Sequence, residues 1–356
     1  MPVRHVMDLT DLTTEECLEV LQTAAAIQKN PREYSDACRG KILATLFYEP
    51  STRTQMSFQT AMLRLGGQVI GFDNPQNSSV AKGETLKDTA RVISGYADVI
   101  AIRHPLAGSA AAAALYSRVP VINAGDGGHL HPTQTLADLA TLQQEKGTLS
   151  GLTIGICGDL KYGRTVHSLI RTMIRFPGNS FVLISTPHLR IPPYIRQTLI
   201  QAGCPFEEVD NLAQAMPSLD VLYMTRIQQE RFASRIDYEK QAGIYVLDKE
   251  KMALGKPDLA VLHPLPRVDE IAQEVDGDER AKYFKQTEYG LYARMALIMK
   301  LAELPRDNPP LYMTGDVRTC ANENCITRRE TYLPHRFREC GEGLLECVYC
   351  EERFAP

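Results

Sequence analysis

The stretch FYEPSTRTQMSF, residues 47–58, decides how the rest of the chain is read. Before it, KILATLFY is an uninterrupted apolar run of strand length. After it, Phe58, Ala61, Met62 and Leu65 recur at helical spacing, and Gly66–Gly67 gives the backbone the freedom a helix end needs. Ser51, Thr52, Arg53 and Thr54 therefore stand where a strand turns into a helix. Such a junction gathers unpaired backbone N–H groups, the positive end of a helix dipole and a cation, which is the chemistry of an anion site. The plain alternative is that Ser51 or Thr52 merely caps the helix and Arg53 is a solvated charge.

Working outward, the same grammar recurs in QVIGF, ADVIAIR, PVINAGD, LTIGICGD, SFVLIST, DVLYMTR and AVLHPLPR, apolar runs that end in polar, Gly or Pro residues. Strands alternating with helices predict parallel sheets covered on both faces, with ligands beyond the carboxyl ends of the strands. DLTDLTTEECLEVLQTAAAIQ reads as a first helix capped at Thr13 or Thr14, and LADLATLQQEKGTLSG as a helix crossing to a second α/β lobe that begins near residue 150. GLYARMALIMKLAEL is a last helix, followed by the linker RDNPPLYMTGD.

A chain of 356 residues is long enough for two lobes and something small. Its net charge of −4 and dispersed Lys and Arg residues give no electrostatic case for nucleic acid or anionic lipid. The N-terminal stretch turns acidic before any apolar core, and no apolar run approaches the roughly 20 residues that span a bilayer, so a cytoplasmic protein is expected. Five of the nine cysteines fall in the last 37 residues. Cys320 and Cys325 form a C-x4-C pair, and Cys347 and Cys350 a C-x2-C pair. Four thiolates in two such knuckles predict a closed, structural Zn²⁺ site in a segment too short to fold on its own core. Paired disulfides are the alternative, disfavoured by a reducing compartment. Cys340 and His335 lie outside the knuckles. The fold class expected is α/β, two doubly wound parallel-sheet lobes plus a small C-terminal β zinc domain.

Other strand ends carry matching side chains: Arg103 and His104 in IRHP, His131 and Gln134 in HPTQT, Arg164 in GDLKYGRT, Arg226 and Gln228 in MTRIQ, and Leu265 between two prolines in HPLP. Arginine's planar fork suits phosphate and carboxylate, so several at strand ends predict a small, multiply anionic ligand set. Each arginine taken alone is better read as a surface ion pair; their shared placement at strand ends is what points to a ligand. There is no GxxxxGK[ST] loop, and Gly155–Gly158 lacks a complete dinucleotide fingerprint, so a nucleotide cofactor has little support. Cys157, inside an apolar run, reads as a buried structural thiol. With no nucleophile set beside a base, chemistry here would rest on orientation and electrostatics.

FYEPSTRTQMSF, SSVAKGETLKDT, RHP, NAGDGGHLHPTQTLADL, GDLKYGRTVHSL, LYMTRIQ and HPLPRVDEI, in this order over roughly residues 3–305, resemble the catalytic chain of the aspartate carbamoyltransferase family. That resemblance implies transfer of a carbamoyl group from carbamoyl phosphate to L-aspartate, giving N-carbamoyl-L-aspartate and phosphate in pyrimidine biosynthesis. It implies a carbamoyl phosphate domain over 1–135, completed by a returning helix 288–304, and an aspartate domain over 136–287. Carried over by motif, Ser51, Thr52, Arg53 and Thr54 would hold phosphate. Arg103, His131 and Thr54 would reach the carbonyl oxygen. Gln134 and the carbonyls of Leu265 and Pro266 would accept from the carbamoyl NH₂. Arg164, Arg226 and Gln228 would hold aspartate, and Ser78 and Lys82 would enter the site of a neighbouring subunit in a homotrimer. Ornithine carbamoyltransferases share S-T-R-T, but typically have HCLP where this chain has HPLP at 263–266, and they lack the Lys-Gly-Glu of 82–84.

CANENCIT and CVYCEERF resemble the zinc domain of that family's regulatory chain, here fused as residues 316–356 after a linker at 305–315. The regulatory chain's nucleotide-binding domain has no counterpart between residue 305 and Cys320, which puts nucleotide control in doubt. In that family the zinc domain docks the regulatory chain onto catalytic trimers; the expectation for the fused module is that it tethers trimers to each other or braces a neighbouring catalytic chain. A nucleic-acid-binding zinc ribbon is the rival, but Glu residues interrupt RRETYLPHRFRE and no aromatic pair accompanies a basic face.

Overall fold

In the computed structural model, which describes residues 4–227, 243–306, 315–316, 318–341 and 343–355, KILATLF supplies strand β1 (Ile42–Phe47). Its last five residues are buried, as an apolar run without alternation requires when both faces of a sheet are covered. With β2 (Gln68–Phe72), β3 (Val99–His104) and β4 (Val121–Asp126) it forms an all-parallel sheet of order β2-β1-β3-β4. The chain runs from β1 to β2 on one side and returns to β3 on the other. The strand order therefore reverses between β1 and β3, where a crevice opens at the carboxyl ends.

Helices α1 (Thr14–Lys29), α2 (Thr52–Arg64), α3 (Leu86–Ile93) and α4 (Ser109–Ala114) accompany this sheet. Thr13 caps α1: its side chain accepts from Glu16 N, and the Glu16 carboxylate accepts from Thr13 N at 2.8 Å, a reciprocal capping box. Phe58, Ala61, Met62 and Leu65 are fully buried, so the periodicity of residues 58–65 is the core face of α2.

A second all-parallel sheet has order β7-β6-β5-β8-β9, made of β5 (Thr153–Cys157), β6 (Ser180–Ile184), β7 (Phe206–Val209), β8 (Val221–Met224) and β9 (Ala260–Leu262). Its order reverses between β5 and β8. Helices α5 (Pro132–Lys146), α6 (Arg164–Met173), α7 (Pro193–Gln201), α8 (Leu212–Ala215), α9 (Lys249–Leu254) and α10 (Tyr283–Ala302) follow in the chain. Strand β7 is not anticipated by the sequence, because FEEV carries two adjacent glutamates; among the described residues it is an edge strand that pairs only with β6. Helix α10 begins at Tyr283, seven residues before the apolar repeat from Gly290 suggests.

The chain divides into two compact units, Met1–Thr133 with Leu291–Pro356, and Gln134–Gly290. The cysteine-rich tail belongs to the first. Its antiparallel sheet of β10 (Phe337–Glu339), β11 (Leu345–Cys347) and β12 (Arg353–Phe354) is small, and its buried residues Ile326, Leu333 and Tyr349 share one core with Leu86, Ala90, Ala110 and Ala113 of α3 and α4. Backbone bonds close that seat. Ala107 N donates to Asn324 O at 3.0 Å, Ile326 N donates to Ala107 O at 2.9 Å, and Lys87 N donates to the Tyr332 hydroxyl at 2.8 Å. Gly108, with φ +82°, lies so close that a Cβ there would stand 2.6 Å from the Tyr349 Cβ. Among the described residues, no helix is long and apolar enough to cross a membrane.

Candidate functional site

Both strand-order reversals carry the side chains singled out above. At the first, Ser51 is the N-cap of α2 but makes no side-chain capping bond, so it leaves the first-turn N–H groups open. Thr54 is buried and Arg53 exposed. The missing Ser51 cap removes that part of the plain alternative, while Arg53, exposed and without an ion pair to any described residue, is placed as a solvated charge would be.

Arg103, on the neighbouring strand β3, is only 8% exposed. Its Nη1 donates to Ala124 O at 3.3 Å and lies 3.4 Å from His131 Nε2, while its Nε is 3.5 Å from a Glu49 carboxylate oxygen. Burial lowers the Arg103 pKa, Glu49 raises it and Arg53 lowers it, so the two guanidiniums sense one another. Two facing cations with a single carboxylate near them favour an incoming anion. Gly125, with φ +120°, permits this arrangement: a Cβ there would stand 2.8 Å from Arg103 Nη1. Gly125→Ala is therefore expected to displace the guanidinium and lower kcat/KM by on the order of 10²-fold, given how steeply rates fall with misplacement of about 1 Å. Steady-state kinetics within twofold of wild type would contradict this.

The loops after β3 and β4 are tied to each other. Gly127 N donates to His104 O at 2.8 Å. His104 accepts at Nδ1 from Leu106 N at 3.1 Å, and burial lowers its pKa to about 4, so it stays neutral. Arg294 of α10 donates to Ser57 Oγ at 3.2 Å and to Thr133 O at 3.3 Å, which fixes α2 against the start of α5. No local sequence signal marks Arg294, since it lies within an apolar helical repeat.

In the second unit, Arg164 is the first residue of α6, after β5, and Arg226 follows β8; both are half-buried and flank the second reversal. The β5 loop is anchored from both sides. Asp159 N donates to Thr225 Oγ1 at 2.9 Å, and His167 donates from Nε2 to Leu160 O at 2.8 Å while its Nδ1 accepts from the Tyr194 hydroxyl at 2.9 Å. Burial holds His167 neutral, with its pKa lowered to about 4, as that pair of bonds requires. Cys157 is fully buried and its thiol is pushed far up by desolvation, which makes it inert.

Beyond β9, the HPLP turn is held by a buried network. Asp138 Oδ1 accepts from Gln134 Nε2 at 2.8 Å and from Gln286 Nε2 at 2.6 Å, and Gln286 Oε1 accepts from His263 N at 3.0 Å. His263 accepts from Leu265 N at Nδ1 (2.7 Å), so its Nε2 carries the proton and donates to Glu270 at 2.7 Å. Gln134 is thereby oriented with its amide nitrogen occupied and its oxygen available. Leu265 has φ +52° and precedes a cis bond to Pro266. Only the HPLP and HPTQT motifs pointed to this network; Asp138, Gln286 and Glu270 gave no separate signal.

Ser78 and Lys82 lie on the loop after β2. Ser78 Oγ donates to Pro75 O at 2.8 Å, and Lys82 is exposed with no ion pair among the described residues. Gln228 lies outside the described residues.

In the tail, Cys320, Cys325, Cys347 and Cys350 are buried with all four sulfurs within 4.8 Å of one another. The Cys320–Cys350 and Cys325–Cys347 sulfur separations are 3.5 and 3.9 Å, close to the edge of about 3.8 Å that a tetrahedral Zn²⁺ with bonds of about 2.3 Å requires. The set fits a structural metal with no open position. Cys340 instead faces Leu344 O.

Three family models match the chain: the carbamoyl-P binding domain of aspartate/ornithine carbamoyltransferase over residues 4–144, the Asp/Orn binding domain over 150–301, and the metal binding domain of the aspartate carbamoyltransferase regulatory chain over 315–355. Among curated relatives, the aspartate carbamoyltransferase catalytic subunit of Clostridium perfringens (strain SM101) is 57% identical over 84% of this chain and 97% of its own length. That of Lachnoclostridium phytofermentans is also 57% identical, over 84% and 98%. Among solved structures, the catalytic subunit of M. jannaschii aspartate transcarbamoylase shares 48% identity with a TM-score of 0.79, over 85% of this chain and 98% of that one. The Trypanosoma cruzi aspartate transcarbamoylase in complex with N-(phosphonacetyl)-L-aspartic acid shares 35% identity and a TM-score of 0.79, over 84% and 96%. The same enzyme is described with carbamoyl phosphate and with aspartate plus phosphate.

Proposed function

Since this chain belongs to the aspartate/ornithine carbamoyltransferase family, we infer that it is an aspartate carbamoyltransferase, transferring the carbamoyl group of carbamoyl phosphate to the amino group of L-aspartate. The observation that carries the assignment of residues is the uncapped start of α2, where exposed Arg53, without an ion pair among the described residues, lies close enough to the buried Arg103 to lower its pKa. Ser51, Thr52, Arg53 and Thr54 receive the phosphate. Arg103 and His131, with Thr54, bind the carbonyl oxygen, where negative charge builds as the amine adds. Gln134 accepts a hydrogen bond from the carbamoyl NH₂ through its available oxygen, as do the carbonyls of Leu265 and Pro266. Arg164 and Arg226, with Gln228, hold the carboxylates of aspartate.

Catalysis then needs no covalent intermediate. Holding amine and carbonyl in attack geometry supplies on the order of 7–11 kcal/mol, and each carbonyl-oxygen donor about 3–4 kcal/mol. The departing phosphate is the candidate acceptor for the amine's proton.

Lys82, exposed and without an ion pair among the described residues, serves with Ser78 in the site of a neighbouring subunit, so that the working species is a homotrimer, in the cytoplasm and on the route to pyrimidines. The four tail cysteines hold a structural Zn²⁺, which takes no part in the chemistry, and the tail is a candidate link between trimers.

The test is a carbamoylation assay with aspartate and ornithine side by side, on wild type and on mixed Arg53→Ala and Lys82→Ala chains. Aspartate should be consumed and ornithine should not. Each variant alone should be inactive, and mixed trimers should regain about a quarter of the sites, because one half of the chains must meet one half of the neighbours. Silence after verified subunit exchange would remove the shared-site assignment.

A further inference from the structure

The segment that presents His131 is gripped from the cysteine-rich module. At the end of β4, Asp126 acts as its hub: Oδ1 accepts from Asn123 Nδ2 and Leu130 N, each at 3.0 Å, and Oδ2 accepts from Gly108 N at 2.7 Å. His129 places Nδ1 2.9 Å from Asp126 Oδ2 and turns Nε2 toward Glu351, at an ion-pair distance of 3.6 Å from Oε2. With one carboxylate hydrogen-bonded at Nδ1 and a second at ion-pair distance from the buried Nε2, the surroundings favour the charged imidazole. The other loop of the site is held from the same side, through the Ala107 bonds to Asn324 and Ile326, four residues beyond Arg103.

Glu351 carries an independent mark. It has φ +56°, and among the described residues the only other non-glycine residue with positive φ is Leu265. The position directly after the second knuckle cysteine would suit glycine without strain. The chain keeps a glutamate there, and its carboxylate meets His129.

We propose that Glu351 and His129 are positioning residues of the transfer reaction, acting through Asp126 to fix the 126–131 turn so that the cysteine-rich module holds His131 beside Arg103 in its own chain. This rests on the reading of His131 as a carbonyl-oxygen ligand. The raised pKa of His129 is consistent with it: burial, which alone would lower the value, is outweighed by Asp126 and Glu351, and it is pushed up to about 10.

The test compares Glu351→Gly, His129→Asn, the double variant and His131→Ala in the full chain, reading kcat, KM for aspartate, metal content and Tm. Glu351→Gly relieves the backbone, so Tm and metal content should be retained or rise. Its kcat should still fall on the order of tenfold, with KM for aspartate changed less than twofold, as displacement of a catalytic group predicts. His129→Asn should match it, and the double variant should be no worse than either single one. A kcat within twofold of wild type in Glu351→Gly, or additive losses in the double variant, overturns the coupling while an inactive His131→Ala leaves the assignment of His131 standing. An active His131→Ala overturns both.

Discussion

Replacing Arg103 with alanine is expected to lower kcat by on the order of 10²–10³, the loss that follows removal of one preorganised donor to a developing oxyanion. Arg103 stands on a central strand, 8% exposed, and its Nη1 is fixed between Ala124 O and His131. The cation is therefore already in place before substrate arrives, and little reorganisation remains for the transition state. Stability should change less than rate: Glu49 Oε2 is buried opposite Arg103, but the side chain as a whole is 36% exposed, so the carboxylate can turn to water once the guanidinium is gone. Arg103→Lys should not restore the rate, since a single ammonium cannot reproduce the fork that reaches Ala124, His131 and Glu49 together. A kcat within threefold of wild type in Arg103→Ala, with aspartate saturating, would mean that the carbonyl oxygen is held elsewhere.

Metal removal should have the largest effect on stability. A structural zinc contributes on the order of 10–16 kcal/mol to the folding of a small module, more than the core around Ile326, Leu333 and Tyr349 can replace. Chelation, or Cys347→Ser, is expected to release about one zinc per chain and to open the stretch from Gly315 to Ala355 to protease. Because that module shares its core with α3 and α4, its loss also uncovers Leu86, Ala90, Ala110 and Ala113. A deficit of about 4 kcal/mol from that exposure corresponds to a fall of about 10 °C in Tm at roughly 2–4 °C per kcal/mol. Unchanged melting and unchanged proteolysis after verified metal loss would show that the tail folds and docks without the ion.

Much of this architecture was legible. Unalternating apolar runs such as KILATLF and ADVIAIR are what a doubly covered sheet demands, and the structure has both as adjacent central strands. Four cysteines in two knuckles sufficed for the metal set. Strand β7 was hidden because an edge strand tolerates the charges of FEEV, and the first turns of α10 because KYFKQTE lacks a clean apolar stripe. The seat of the tail on its own chain was harder still. It is made by backbone groups at Ala107 and Asn324 and by an alanine face on α4, and the only trace of that in sequence is the run of alanines at 110–114. The strand-end arginines could be found by motif, whereas the support of Gln134 and the HPLP turn, in which Asp138 accepts from Gln286, joins segments 148 residues apart that only the fold assembles.

The first unit is interrupted in the chain: its beginning ends at Thr133 and its remainder starts at Leu291. A ribosome that has delivered 290 residues has therefore released every strand of the second sheet, while the nascent first unit still lacks the end of α10 and the metal-binding cap over α3 and α4. Chains stopped in that interval would show a naked alanine-lined face to chaperones and proteases, so late truncation should cost this protein its solubility sooner than its secondary structure.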